Sequence, residues 1–395
     1  MTDNQPVTKH DFIRDKSIAG MVAVASSLVL AALPLFMVGG LAVQIKEEFA
    51  FTEAALGSAV TIGFVLGAIT APIGGRIADR VGPRRSVYLG SSMSVVSLAG
   101  LGLLTTGWST MVAFLCLAGV AMALTDPGLA ILVGRSVSVD RQGLAFGVKE
   151  ASIPAATLAA GLAVPAIALT VGWRWAFTLG LLPWLVVLFL LPRLDVRPQT
   201  DQGSVDASPP PTPPRRRAVL LAAVAAALGT AAASGIGIFL TDSAVSMGLS
   251  PANAGLLLAT GSVAGIVARV GTGVMADRIG GPQFKLIAAM LAVGAMTMAM
   301  GGTGNVLLLI VGTVGAFTGG WAWTGIFFLS LVKTNPDRPG AVAGIGTAGL
   351  GVGNAAGPLL FALVAQSLSF GAAWLAAAVV AGLAAVLMAA ARSRF

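Results

Sequence analysis

Gly75-Arg76-Ile77-Ala78-Asp79-Arg80-Val81-Gly82-Pro83-Arg84-Arg85 separates two long apolar segments, and the reading of this stretch decides the fold. A shorter echo, Gly273-Val274-Met275-Ala276-Asp277-Arg278-Ile279-Gly280, lies 198 residues later, again between apolar segments. Each copy packs a carboxylate, an arginine and glycine into a tight turn. Gly75 and Asp79 stand at i and i+4, so at a helix end the glycine lets a neighbour approach while the carboxylate reaches a helix N-terminus or an arginine. Arg135 and Arg141 are candidates for that arginine.

Working outward, the composition is that of a membrane protein. A hydrophobic fraction of 56%, a mean hydropathy of +0.90 and only 10% charged residues exclude an ordinary soluble domain. Glycine at 51 of 395 positions suits helices that pack closely in lipid. The single cysteine, Cys116, sits in an apolar run, so no intrachain disulfide forms. The only histidine, His10, lies in a polar N-terminal tail, which removes histidine metal sites and catalytic triads. No G-x-S-x-G nucleophile elbow is present either.

The apolar residues lay out as twelve spans, roughly 17–44, 53–75, 85–106, 108–134, 142–171, 174–192, 217–241, 251–276, 284–301, 304–332, 340–367 and 370–391. A net charge of +8 would suit nucleic acid, but position decides otherwise. With the N-terminus inside, cytoplasmic stretches carry 20 of the 24 Lys and Arg. Lys46 and Arg174 fall outside, and Lys149 and Arg269 fall within spans. That asymmetry is the positive-inside rule and predicts both termini in the cytoplasm, in a plasma (inner) membrane. The basic balance is therefore topology, and nucleic acid is not an expected partner. The first span lacks a small-residue cleavage site and reads as a retained helix. Trp108, Trp173, Trp175 and Trp374 fall near outer ends, where an interfacial belt is expected.

The echo is part of a longer repeat. Thr52 and Ser250-Pro251 read as N-caps of spans two and eight, 198 residues apart. Asp140-Arg141-Gln142-Gly143 recurs as Asp337-Arg338-Pro339-Gly340, and Gly147 as Gly344, at an offset of 197. Two six-span halves, 1–192 and 217–395, therefore flank a Pro- and Arg-rich linker at 193–216 whose composition reads as solvated and extended. Gly344-Ile345-Gly346-Thr347-Ala348-Gly349 matches G-x-G-x-x-G, but no strand precedes it and its glycines read as helix-packing surface.

Four ionised side chains lie well inside spans: Asp126, Lys149, Glu150 and Arg269. Each costs about 2.5–3.5 kcal/mol to insert, so such residues face a cavity, a partner or both. Counted from the loops, Lys149 and Arg269 lie about 12–13 Å deep and Asp126 lies near the same level. Pro154 lacks the N–H that would bond the Glu150 carbonyl, and Pro127 does the same to Ala123, so broken helices are expected beside the charges. Two readings are open. In one, Asp126 neutralises Lys149 and Glu150 neutralises Arg269, as a structural network. In the other, the four charges line a binding site in the broken helices. Trp321 and Trp323 lie too deep for a belt and read equally as cavity walls or as packing.

The first copy of the opening stretch resembles the signature loop of the major facilitator superfamily, G-x-x-x-D-[RK]-x-G-x-[RK]-[RK]. The second departs only at the trailing basic pair, where Pro282-Gln283 stand. The resemblance covers both loops, the twelve spans and the central linker. It implies an all-α integral membrane fold: twelve transmembrane helices in two pseudo-symmetric six-helix bundles that rock around one central site. It also implies that Gly75, Asp79, Arg80, Gly82, Arg84 and Arg85, with Asp277 and Arg278, latch one conformation of the transport cycle. The alternative is a capped turn that merely obeys the positive-inside rule.

The resemblance narrows the cargo less. The family's drug/proton antiporters usually carry an arginine in span four and G-x-x-x-G-P in span five; this chain has Thr125-Asp126-Pro127 and Ile153-Pro154 instead. A span-eight arginine such as Arg269 is similar to what the family's organic-anion carriers use to hold a carboxylate, which implies Lys149 as a second cationic contact for substrate and Asp126 and Glu150 as carriers of the coupling proton. The expectation is a proton-coupled carrier of small organic anions, working as a monomer in the lipid bilayer, with no cofactor beyond the proton gradient. The alternative is drug or cation efflux by proton antiport. A membrane enzyme or a receptor without transport forms a third class, disfavoured by the absence of catalytic motifs.

Overall fold

The computed structural model describes residues 9–136, 141–193, 216–335 and 339–394. Between Arg193 and Arg216 the linker lies outside the described residues, as do Asp140, Asp337, Arg338 and the side chain of Arg135.

The described residues are helical throughout, without a strand, and twelve helices are long and apolar enough to cross a membrane. The spans are Ala19–Gly40, Glu53–Val81, Pro83–Leu103, Trp108–Val133, Gln142–Ala168, Trp173–Arg193, Arg216–Ser246, Pro251–Ile279, Phe284–Gly301, Val306–Thr334, Gly344–Ser367 and Phe370–Arg392. Local chemistry sets their starts. The Thr52 hydroxyl accepts from the Ala55 amide at 3.2 Å, and the Ser250 hydroxyl accepts from Asn253 at 3.3 Å with Pro251 at the first helical position.

Two expectations need correction. The opening stretch is not a turn along its length: span two stays helical to Val81, so Gly75, Asp79 and Arg80 occupy its last two turns. Only Gly82, at φ 92°, makes the corner, and Pro83 opens the next helix. The helices also run unbroken through Pro127 and Pro154. Irregular backbone falls instead at Val164–Ala168 and at Ala316–Gly320, where Gly319-Gly320 removes side-chain support ahead of Trp321. The aromatic belt is likewise only partial. Trp108 and Trp175 are exposed, whereas Trp173 and Trp374 are buried with their N–H groups on Glu48 and Ser243.

Small residues govern how the spans meet. Gly161 packs on the Gly255 backbone and Gly147 on the Arg269 carbonyl, so spans five and eight touch along their whole length. Spans two and eleven touch only over part of theirs. Gly57 packs on Ala362 and Gly351 meets Ala68, but neither Gly75 nor Gly344 has a foreign atom within 4 Å of where a Cβ would stand. Near the signature turn these two helices are therefore splayed. A wedge opens there and leads into the centre of the molecule.

Candidate functional site

The wedge ends in a central cavity of about 420 Å³, within the size range of small-molecule sites. Its walls come from spans one, two, four, five, seven, eight, ten and eleven. Leu35, Phe36, Phe64, Met122, Ile153 and Trp321 make them mostly apolar, and Asp126, Glu150 and Arg269 supply the charge. Pro72, Thr347 and Ala348 line the cavity and are exposed, which marks its mouth at the end carrying Gly82.

The structure brings all four intramembrane charges together, with a division of labour the sequence left open. Lys149 Nζ lies 2.5 Å from Asp126 Oδ1 and 3.0 Å from Glu150 Oε1. Two carboxylates therefore share one ammonium, which is buried and does not reach the cavity wall. Lys149 is their counter-ion, not a second cationic contact for a ligand. Asp126 is the accessible member, with 36% of its side chain exposed.

Arg269 is held quite differently. Among the described residues no carboxylate oxygen lies within ion-pair distance of its guanidinium. One Nη donates to the backbone carbonyl of Glu150, and the other to the Trp321 carbonyl at 3.1 Å. The first is the carbonyl that Pro154 deprives of its helical donor; the second lies just past the irregular segment Ala316–Gly320. Arg269 thus satisfies two orphaned acceptors and ties span eight to spans five and ten. Its Nε is buried without a partner among the described residues, and the Trp321 ring lies 5.5 Å from its guanidinium carbon. Three of the five N–H donors remain uncommitted.

Trp321 lines the cavity; Trp323 does not. The Trp323 indole donates to the Gly320 carbonyl at 2.8 Å and packs edge-on against Phe327, inside a core formed by residues 219–391. Sequence reasoning missed four polar wall residues: Thr230, Thr324, Thr347 and Asn354. Thr324 donates to Glu150 Oε2 at 3.3 Å. The repeat offset of 198 carries Asp126 onto Thr324, a signal that was available.

The two copies of the opening stretch are in different states. Asp277 Oδ1 and Oδ2 accept from the Gly143 and Leu144 amides at 2.7 and 2.8 Å, capping span five across the interface. Gly273 packs on the Gly143 carbonyl. In the first copy Asp79 is exposed and makes no hydrogen bond or ion pair among the described residues, and Arg141 does not reach it. Close approach on this helix belongs to Gly74, which packs on the Ala123 carbonyl, rather than to Gly75. Arg80, Arg84, Arg85 and Arg278 lie around the same end, without ion pairs among the described residues.

At the opposite end an unforeseen ionic network closes the molecule. Lys46, on the short helix Ala42–Phe49, lies 2.6 Å from Asp242 of span seven and 2.6 Å from Glu53 of span two. Burial opposes the Lys46 charge, but the hydrogen bonds to Asp242 and Glu53 more than offset it, so its pKa stands above the ordinary lysine value. Glu48 bonds Arg174 and Trp173, each at 2.6 Å. Burial pushes the Glu48 carboxyl up, and those two donors more than offset it, leaving it below the ordinary range. The Thr241 hydroxyl donates to the Gly39 carbonyl at 3.0 Å, and the Ala54 amide to Gln366 at 3.0 Å.

A family model described as Major Facilitator Superfamily matches residues 19–304. The chain is 26% identical over 182 residues to an uncharacterized MFS-type transporter, Rv1250, of Mycobacterium tuberculosis (strain ATCC 25618 / H37Rv), covering 45% of this chain and 30% of that protein. It is 28% identical over 189 residues to an uncharacterized transporter, YycB, of Bacillus subtilis (strain 168), covering 47% of this chain and 45% of that protein. The match thus spans less than half of each relative.

Proposed function

Because the chain belongs to the Major Facilitator Superfamily, we propose that it is a proton-coupled secondary transporter of small organic anions. It works by alternating access in the plasma membrane, with both termini cytoplasmic. Two six-helix bundles, 1–192 and 217–395, rock about the central cavity, joined by the linker at 193–216. The observation that carries the anion reading is the contrast between the two buried cations. Lys149 is saturated by two carboxylates, whereas Arg269 faces the cavity with donors to spare. A carboxylate docked on Arg269 would take a charge-assisted contact, with the Trp321 ring beside it.

Charge balance supplies the coupling. Asp126, Lys149, Glu150 and Arg269 sum to zero. An incoming carboxylate leaves the site with one excess negative charge in a medium that tolerates it poorly, so anion and proton favour each other's binding. Asp126, open to the cavity, and Glu150, one contact behind it, are the groups that take the proton. The gradient then drives transport without a cofactor.

A second reading has one observation of its own. Asp126 is the charged group most open to the cavity among apolar walls, which suits a lipophilic cation exchanged for a proton. A thermal-shift screen of the purified chain at acidic and alkaline pH separates the two. Monocarboxylates should stabilise, and more strongly at acidic pH. Stabilisation by lipophilic cations alone, stronger at alkaline pH, would overturn the anion reading and support efflux.

A further inference from the structure

We infer that Asn354, with Thr230, forms a neutral hydrogen-bonding subsite across the cavity from the charged cluster. The cargo is then a monocarboxylate whose far end carries an uncharged hydrogen-bonding group such as a hydroxyl. The identity of the charged end rests on the anion reading above; the subsite itself does not.

The repeat explains why these groups are free. Where spans five and eight meet, the Thr157 and Ser262 hydroxyls bond each other at 2.7 Å and close that interface. The offsets of 197 and 198 carry Thr157 onto Asn354 and Ser262 onto Phe64. A phenyl ring cannot return the hydrogen bond. Asn354 therefore stands on the cavity wall with no partner among the described residues. Its carboxamide offers two donors and an acceptor.

Thr230 adds a second, independent observation. A helical threonine usually donates back to a carbonyl one turn earlier, as Thr260 and Thr313 do here. The Thr230 hydroxyl does not; it is buried, has no partner among the described residues, and belongs to a residue lining the cavity. Gly353, the neighbour of Asn354, faces span seven at Ala227 and Thr230, and Thr230 and Asn354 both line the cavity. An unpaired buried hydroxyl costs stability in the empty protein, and a ligand that pairs it recovers that cost.

The same symmetry polarises the cavity. Glu150 and Arg269 correspond to Thr347 and Ala71, both on the opposite wall and both uncharged. A second carboxylate placed at Asn354 and the buried Thr230 would be desolvated without a cation to meet it, so dianions are disfavoured. The apolar and aromatic side chains between the two ends suit a hydrophobic body.

Titration calorimetry on the purified full chain, with a matched series of probes, tests this. The series is phenylacetate, para-hydroxyphenylacetate and the dianion para-carboxyphenylacetate, with phenethylamine and tyramine as the cationic pair. We expect the hydroxylated acid to bind about tenfold tighter than phenylacetate and the dianion to bind worst. Asn354→Leu should bring the two acids to equal affinity, and the shape-conserving Thr230→Val should reduce the preference. Equal binding of the two acids, or a preference that survives both substitutions, overturns the subsite. If only the amines bind, and tyramine's advantage vanishes in Asn354→Leu, the subsite stands and the anion reading falls.

Discussion

Arg269→Lys keeps the charge of the central site but not its geometry. A lysine cannot hold two backbone carbonyls on two helices and still present a planar pair of donors. We expect carboxylate binding to weaken about 10–100-fold, as for loss of a charge-assisted contact, with a lower melting temperature from the carbonyls left bare. Glu150→Gln should not rescue Arg269→Gln, because Arg269 bonds the backbone carbonyl of Glu150 and not its carboxylate. Recovery of binding in that double variant would contradict the assignment. The residue scale also marks the limit of sequence reading. Pro154 announced a free Glu150 carbonyl, but nothing in the chain said which donor would fill it. That Lys149 would take both acids and leave Arg269 without one depended on how spans four, five and eight converge.

At the scale of elements, the short helix Ala42–Phe49 carries Lys46, which ties spans two and seven together at the end opposite the cavity mouth. Lys46 sits between two carboxylates, so Lys46→Met removes an attraction and leaves Glu53 and Asp242 facing each other. In a cysteine-free background made by Cys116→Ser, a Leu35→Cys probe on the cavity wall should be labelled faster from the Lys46 side once Lys46→Met is added. Unchanged labelling would contradict the role of this network as a gate. The signs of the shifts predict that this end holds at neutral pH. The raised Lys46 value keeps its contribution below the ordinary lysine pKa, lost only as pH rises through the raised one. The lowered Glu48 value keeps its contribution above the ordinary carboxylate pKa, lost as pH falls through the lowered one. Helix starts at Thr52 and Ser250 were legible because a cap is a local signal. The irregular segment before Trp321 was not, because glycine pairs occur as often in packed helices of this chain.

Taken whole, the molecule is asymmetric where its sequence is nearly symmetric. Spans five and eight are closed along their length and capped by Asp277, while spans two and eleven are splayed, with Asp79, Gly75 and Gly344 unengaged by any described residue. The twelve spans were readable because hydropathy over twenty residues leaves few alternatives. The state of the wedge was not, because both copies of the signature carry the same carboxylate and glycine, and only packing distinguishes an engaged copy from a free one. The proposed proton-coupled transport requires a carboxylate and a proton to enter this cavity together. Calorimetry of para-hydroxyphenylacetate binding in buffers of different ionisation enthalpy measures the protons exchanged per ligand bound. The account predicts net uptake approaching about one proton per carboxylate, lost together with binding in Arg269→Gln. Carboxylate binding with no proton uptake, or unchanged binding in Arg269→Gln, would contradict it.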